Sequence, residues 1–146
     1  MIPHLFSAVF IHYTDPGMKT VPVHKDLQDL SLFFTRAGFS VYLVGGAVRD
    51  MLLGKSTHDL DFSLARDAIQ IGRRVASRLR AAFYPLDSVR DAGRLIITKP
   101  PFERYVIDFT SWRAQNLTAD LRDRDFTINA IALDIRNPEH LIDPFK

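Results

Sequence analysis

The sequence predicts a compact α+β domain, mixed α/β in character, and three observations carry that prediction. Short apolar runs of extended character, such as 59–64 and 105–109, lie between segments with helical spacing. The two kinds mix without the strict strand–helix alternation of a doubly wound sheet. With 146 residues, 47% hydrophobic and 25% charged, the chain suffices for one domain with a real core.

The elements follow in order. Residues 1–23 contain Pro3, Pro16, Gly17 and Pro22 and read as an irregular or partly extended lead-in to a domain spanning 24–146. From Lys25, the residues Leu27, Leu30, Phe33, Phe34 and Ala37 recur on one helical side, with Gly38 as the stop. Residues 39–44 read as a short buried strand. Gly45-Gly46 breaks it and opens a short helix to about Leu53, closed by Gly54. Residues 59–64 alternate as a strand. The clearest helix is 67–82, which buries Ala68, Ile71, Val75, Ala76, Leu79 and Ala82 and leaves Arg73, Arg74, Arg78 and Arg80 mostly outside. Extended pieces follow at 83–86 (edge-like because of Pro85), 95–98 and 105–109. The last two predict a hairpin turning through residues 99–103. Short helices around 117–122 and 126–131 precede a strand at 132–135.

Composition narrows the chemistry. There is no cysteine, hence no disulfide scaffold or thiolate metal site, which fits a cytoplasmic protein. No apolar run reaches the roughly 18–20 residues of a membrane span. The apolar opening, residues 1–11, lacks the basic start and cleavage site of a signal peptide. Fourteen arginines outnumber five lysines at a net charge of +2. Guanidinium forks suit phosphate, although any single one of them reads more readily as a solvated helix face. The five histidines lack ligand spacing, and there is no Walker-type loop, dinucleotide fingerprint or nucleophile elbow.

The chemistry concentrates in two segments. Asp59 and Asp61 flank Leu60 at i and i+2 of a predicted strand, so their carboxylates share a face. Like charges so placed call for a cation, and oxygen ligands suit Mg²⁺ or Mn²⁺. Asp108, between Ile107 and Phe109, is a third acid able to complete a two-ion site, or else it pairs with an arginine such as Arg113. Upstream, Gly45-Gly46 offers backbone that a triphosphate can approach closely. Arg49 is placed to reach a phosphate or form a salt bridge. Arg124, Asp125 and Asn129 accompany a predicted core stripe of Phe126, Ile128 and Ile131, with Asp125 and Asn129 as i,i+4 neighbours on a helix. That pair suits sugar hydroxyls or a simple helix cap.

Taken together, Tyr42-Leu43-Val44-Gly45-Gly46-Ala47-Val48-Arg49-Asp50, Asp59-Leu60-Asp61 and Arg124-Asp125-Phe126-Thr127-Ile128-Asn129-Ala130 resemble the catalytic head of class II CCA-adding tRNA nucleotidyltransferases and bacterial poly(A) polymerases. The similarity runs from about residue 24 to the end. It implies a polymerase-β-like nucleotidyltransferase fold, a small mixed sheet backed by helices. It also implies Asp59, Asp61 and Asp108 as catalytic metal ligands for two Mg²⁺ or Mn²⁺ ions. Gly45, Gly46, Arg49, Arg124, Asp125 and Asn129 become the nucleotide-binding set.

The implied reaction transfers AMP or CMP from ATP or CTP to an RNA 3′-hydroxyl, that of tRNA in the first instance, and releases pyrophosphate. A poly(A) polymerase head, or a non-catalytic nucleotide-binding sensor, is the alternative. Two departures stand out. Asp123 interrupts the arginine run that often precedes the Asp-Phe-Thr-Ile-Asn-Ala segment. Nothing after Ala130 matches the family's base-selecting helix, so a head without neck, body or tail is expected, weak or inactive by itself in templated addition.

Overall fold

The structure, a computed structural model, describes residues 9–11, 21–23, 25–55, 57–98, 104–137 and 140–145. In chain order its elements are β1 (Val9–Ile11), β2 (Val21–Val23), α1 (Lys25–Ala37), β3 (Val41–Val44), α2 (Gly46–Leu52), β4 (Asp59–Leu64) and α3 (Ala68–Leu79). They continue with β5 (Ala82–Asp87), β6 (Ala92–Ile97), β7 (Tyr105–Ser111), α4 (Leu117–Arg122), a 3₁₀ turn (Thr127–Asn129), β8 (Ala132–Asp134) and β9 (Leu141–Ile142). None of the described helices is long and apolar enough to cross a membrane.

Seven strands form a mixed sheet in the order β5-β6-β7-β4-β3-β8-β9. Only the β4–β7 pair is parallel among them. β5 lies at the edge, where Pro85 removes one amide donor and the register shifts between Pro85 and Asp87. β1 and β2 pair with each other, antiparallel, in a separate two-stranded sheet within the sequence-predicted lead-in. The predicted turn through 99–103 and the side chain of Leu27 lie outside what the structure describes.

Alternation along the strands sorts the two faces. Leu60, Phe62 and Leu64 of β4 are buried with Ile107 and Phe109 of β7, under α1 and α3. Phe34 of α1 meets both Phe62 and Phe109 edge-on, at 6.1 and 6.5 Å between ring centroids. Phe83 is wedged against α3 and β6: a Cβ added at Gly72 or Gly93 would lie 2.6 or 2.3 Å from its ring. On the opposite face α4 covers a smaller cluster of Val44, Leu117, Leu121, Ala130 and Ala132.

Helix α3 is capped from a distance. Asp67, at its N-cap position, makes no side-chain cap bond. Asp91 instead accepts from the Ala68 and Ile69 amides at 2.7 and 3.0 Å, and Ser111 donates its hydroxyl to the same carboxylate. Of the arginines on α3, Arg73, Arg74 and Arg78 are exposed, as predicted, and lie over the rings of Phe83, Phe39 and Phe33.

Three local expectations fail. The helix expected over 67–82 stops at Leu79, where Arg80 turns left-handed, so Ala82 opens β5 and is exposed rather than buried. The helix predicted at 126–131 shrinks to the 3₁₀ turn, because Phe126 is extended (φ −127°, ψ 129°) and the following chain is drawn to Gly45, whose amide donates to the Ile131 carbonyl at 3.1 Å. The predicted core stripe dissolves with it. Phe126 and Ile128 are 67% and 60% exposed, whereas Ile131 packs partly against the main core.

Candidate active site

β4 sets the acids. Leu60 and Phe62 are drawn into the core, which turns Asp59 and Asp61 to the other face, where both are exposed. Asp61 lies across from Asp108 in the parallel β4–β7 register and across from Val44 in the antiparallel β3–β4 register. Val44 immediately precedes the Gly45-Gly46 turn, so that turn and the acids meet at one end of β3. Water reaches the Asp61 carboxylate, yet enough protein surrounds it that burial raises its pKa. The charges of Asp108 and Asp59 raise it further, opposed by Arg124 and Arg94.

Asp108 is held differently. Arg94 on β6 donates to both of its carboxylate oxygens, each at 2.8 Å. Arg113, the partner weighed from sequence, is exposed, and its amide donates to Asp120 instead. The signal for Arg94 was present in the hairpin. Register partners across β6–β7 sum to 202 (Ile97 with Tyr105), so a turn centred on residue 101 places Arg94 opposite Asp108. Starting the strand at Leu95 hid it.

Gly45 adopts φ 73° and ψ −140°, a backbone that strongly favours glycine. A Cβ built there would lie 3.7 Å from both Arg124 Nη1 and the Asn129 carbonyl oxygen. Arg49, on α2, extends over Gly46, with Nη2 3.4 Å from where a Cβ would sit. It donates to Asn129 Oδ1 at 3.1 Å and from Nε to Asp50 at 2.9 Å. Arg124 reaches Asp120 only at 3.7 Å, and its buried Nε has no partner among the described residues. The polar wall beside the glycine turn is therefore Arg49, Arg124 and Asn129.

Asp125 does not join this group. It is exposed and makes no hydrogen bond or ion pair among the described residues. The predicted i,i+4 pairing with Asn129 is absent because the helix is absent, and Asn129 takes Arg49 as its partner instead.

Among the described residues, no three His, Cys, Asp or Glu side chains converge as a ready metal cage, since Arg94 engages the third acid. The donor set nonetheless suits a hard divalent cation. It is all oxygen, and beside the burial that chiefly raises the Asp61 pKa, the repulsion from Asp108 and Asp59 is what such an ion would relieve.

Comparison with known proteins identifies the family and the fold. Residues 41–146 match the family model for the poly A polymerase head domain. A CC-adding tRNA nucleotidyltransferase of Synechocystis sp. is 42% identical over 104 residues, covering 70% of this chain and 24% of the relative. A CCA-adding enzyme of Listeria monocytogenes is 35% identical over 147 residues, covering 90% of this chain and 33% of the relative. The chain thus spans about a quarter to a third of these relatives' length. A crystal structure of a tRNA nucleotidyltransferase complexed with a primer tRNA and an incoming ATP analog superimposes with a TM-score of 0.68 at 32% identity, covering 80% of this chain and 34% of that one. A complex of a CCA-adding enzyme with CTP gives 0.71 at 28% identity, covering 82% and 29%.

Proposed function

From the premise that this chain belongs to the poly(A) polymerase head-domain family, in the nucleotidyltransferase fold that the mixed sheet and its structural neighbours share, we propose that it is the catalytic head of a metal-dependent RNA nucleotidyltransferase. The observation that carries the reading is the register of Asp61 with Asp108, beside Asp59 and the Gly45-Gly46 turn. A relative named as a CC-adding tRNA nucleotidyltransferase and a neighbouring structure complexed with a primer tRNA support tRNA as the acceptor.

The reaction forms a bond from the RNA 3′-oxygen to the α-phosphorus of ATP or CTP. It breaks the bond from that phosphorus to the bridging oxygen, releasing pyrophosphate, and the hydroxyl proton passes to solvent. Asp59, Asp61 and Asp108 are the residues to hold two Mg²⁺ ions (or Mn²⁺), which supply charge neutralisation for the triphosphate and acidify the attacking hydroxyl. Gly45 and Gly46 let the triphosphate approach the backbone, and Arg49 and Arg124 offset its charge. Asn129, fixed by Arg49, faces the ribose, and Asp125 is free to turn toward it. Catalysis is then mainly positioning and electrostatics.

The test is a calorimetric titration with ATP and with CTP, each with and without Mg²⁺. Metal-dependent binding of both, at similar affinity, is expected, together with pyrophosphate release when a tRNA acceptor is supplied. Nucleotide binding indifferent to Mg²⁺, with no pyrophosphate formed, would favour a nucleotide sensor instead.

A further inference from the structure

On the face of the sheet opposite the acids, α1 and α3 enclose a shallow groove of about 320 Å³ lined by Asp29, Leu32, Phe33, Arg36, Arg74 and Arg78. The opposition follows from alternation. Phe34 of α1 packs on Phe62 and Phe109, and their neighbours Asp61 and Asp108 turn the other way. Three exposed guanidiniums thus border one concavity against a single carboxylate. Among the described residues none of the three has an ion-pair partner. Two are held in place, Arg74 over Phe39 at 5.1 Å and Arg78 over Phe33 at 5.6 Å. Arginines needed only for solubility have no reason to gather around a groove, and rings that fix them reduce the entropy lost on meeting an anion.

We infer that this groove binds the phosphate backbone of a structured RNA, as a second contact remote from the catalytic acids. Arg74 and Arg78 lie one helical turn apart on one face, and Arg36 faces them from α1, so one strand can be gripped at successive phosphates. Leu32, 55% exposed, and Phe33 offer an apolar wall for sugars. The choice of RNA as the occupant rests on the proposed function, whereas the test does not, because neither metal nor nucleotide enters it.

The test is fluorescence anisotropy of the chain with a labelled 12-base-pair RNA duplex. The duplex carries 3′-phosphate ends that cannot react, and EDTA silences any metal-mediated contact. Replacing Arg36, Arg74 and Arg78 together by Gln is expected to weaken binding about tenfold or more at low salt and to lower the salt slope by roughly 2, as for loss of two to three phosphate contacts. A matched triple Gln variant at the exposed Arg66, Arg90 and Arg113, with the same net charge, is expected to change binding less than about twofold. Asp29→Asn is expected to tighten binding, an outcome that damage to the fold cannot mimic. The inference is overturned if the native chain does not bind the duplex, if the groove triple binds like it, or if the matched triple loses as much. Equal displacement of the RNA by a 12-residue polyglutamate peptide would also overturn it, by making the groove a site for acidic protein segments.

Discussion

Asp91 and Asp61 are both carboxylates on or beside the same sheet, and their surroundings act on them in opposite directions. Burial would raise the Asp91 pKa, but hydrogen bonds from Ser111 and the Ile69 and Ala68 amides outweigh it and hold the group below its ordinary value. Every contact suits the anion, and the result is a helix start pinned from 23 residues away. Asp61 has burial and two neighbouring acids raising it, and Arg124 and Arg94 oppose them without prevailing. A side chain whose charge the fold satisfies contributes to stability. One whose charge the fold leaves exposed to like charges marks a place where something else is to bind.

That contrast breaks most sharply at Asp61. Asp61→Ala is expected to lower nucleotidyl transfer by about three orders of magnitude or more, the loss of several kcal/mol of transition-state stabilisation. The melting temperature should hold or rise, since a repelled charge is removed. Substantial retained turnover in a single-turnover assay would remove Asp61 from the site. Asp91→Ala should do the reverse. It loses a cap worth about 1–2 kcal/mol, lowers the melting temperature by roughly 3–6 °C and leaves nucleotide binding intact.

The pH dependence follows from the depressed Asp91 pKa. Its contribution is fully present above the unfolded value near 3.8 and is lost as pH falls through the lower folded value. The gap between native and variant in a urea-melt series should therefore close only below about pH 4. A gap that closed near neutrality would contradict the cap.

Between these extremes stands Asp108, an acid of the site satisfied by an internal cation. Arg94 and Asp108 are 42% and 23% exposed in their side chains, so Arg94→Gln should cost under about 1 kcal/mol of stability. By freeing Asp108, it should also tighten Mn²⁺ binding in the absence of nucleotide, as read by calorimetry. Weaker Mn²⁺ binding would mean that Arg94 orients the carboxylate rather than competing for it.

How much of this the sequence disclosed depends on how local each feature is. β4 appears at its observed bounds because Leu60, Phe62 and the two acids alternate within six residues. α3 and the glycine turn are equally local. Arg49–Asn129 spans 80 residues, and no periodicity encodes that partner. Phe126 and Ile128 misled for a related reason. An apolar stripe beside polar residues at helical spacing is buried only if the helix forms, and here the bond from Gly45 to Ile131 takes the chain elsewhere. No local pattern marks Asp91 as the cap of a helix that starts 23 residues upstream.

The hairpin geometry around Arg94 also bears on the order of assembly. β6 and β7 are chain neighbours joined by residues 98–104, whereas β7 reaches β4 only by parallel pairing across the whole of α3, β5 and β6. Closing the short loop costs less than closing the long one, so the β6–β7 pairing is expected to form before β7 meets β4, an order that φ-values at Leu95 and Leu60 would check. On that order Asp108 reaches Asp61 already bonded to Arg94, whose charge offsets part of the repulsion between the two acids.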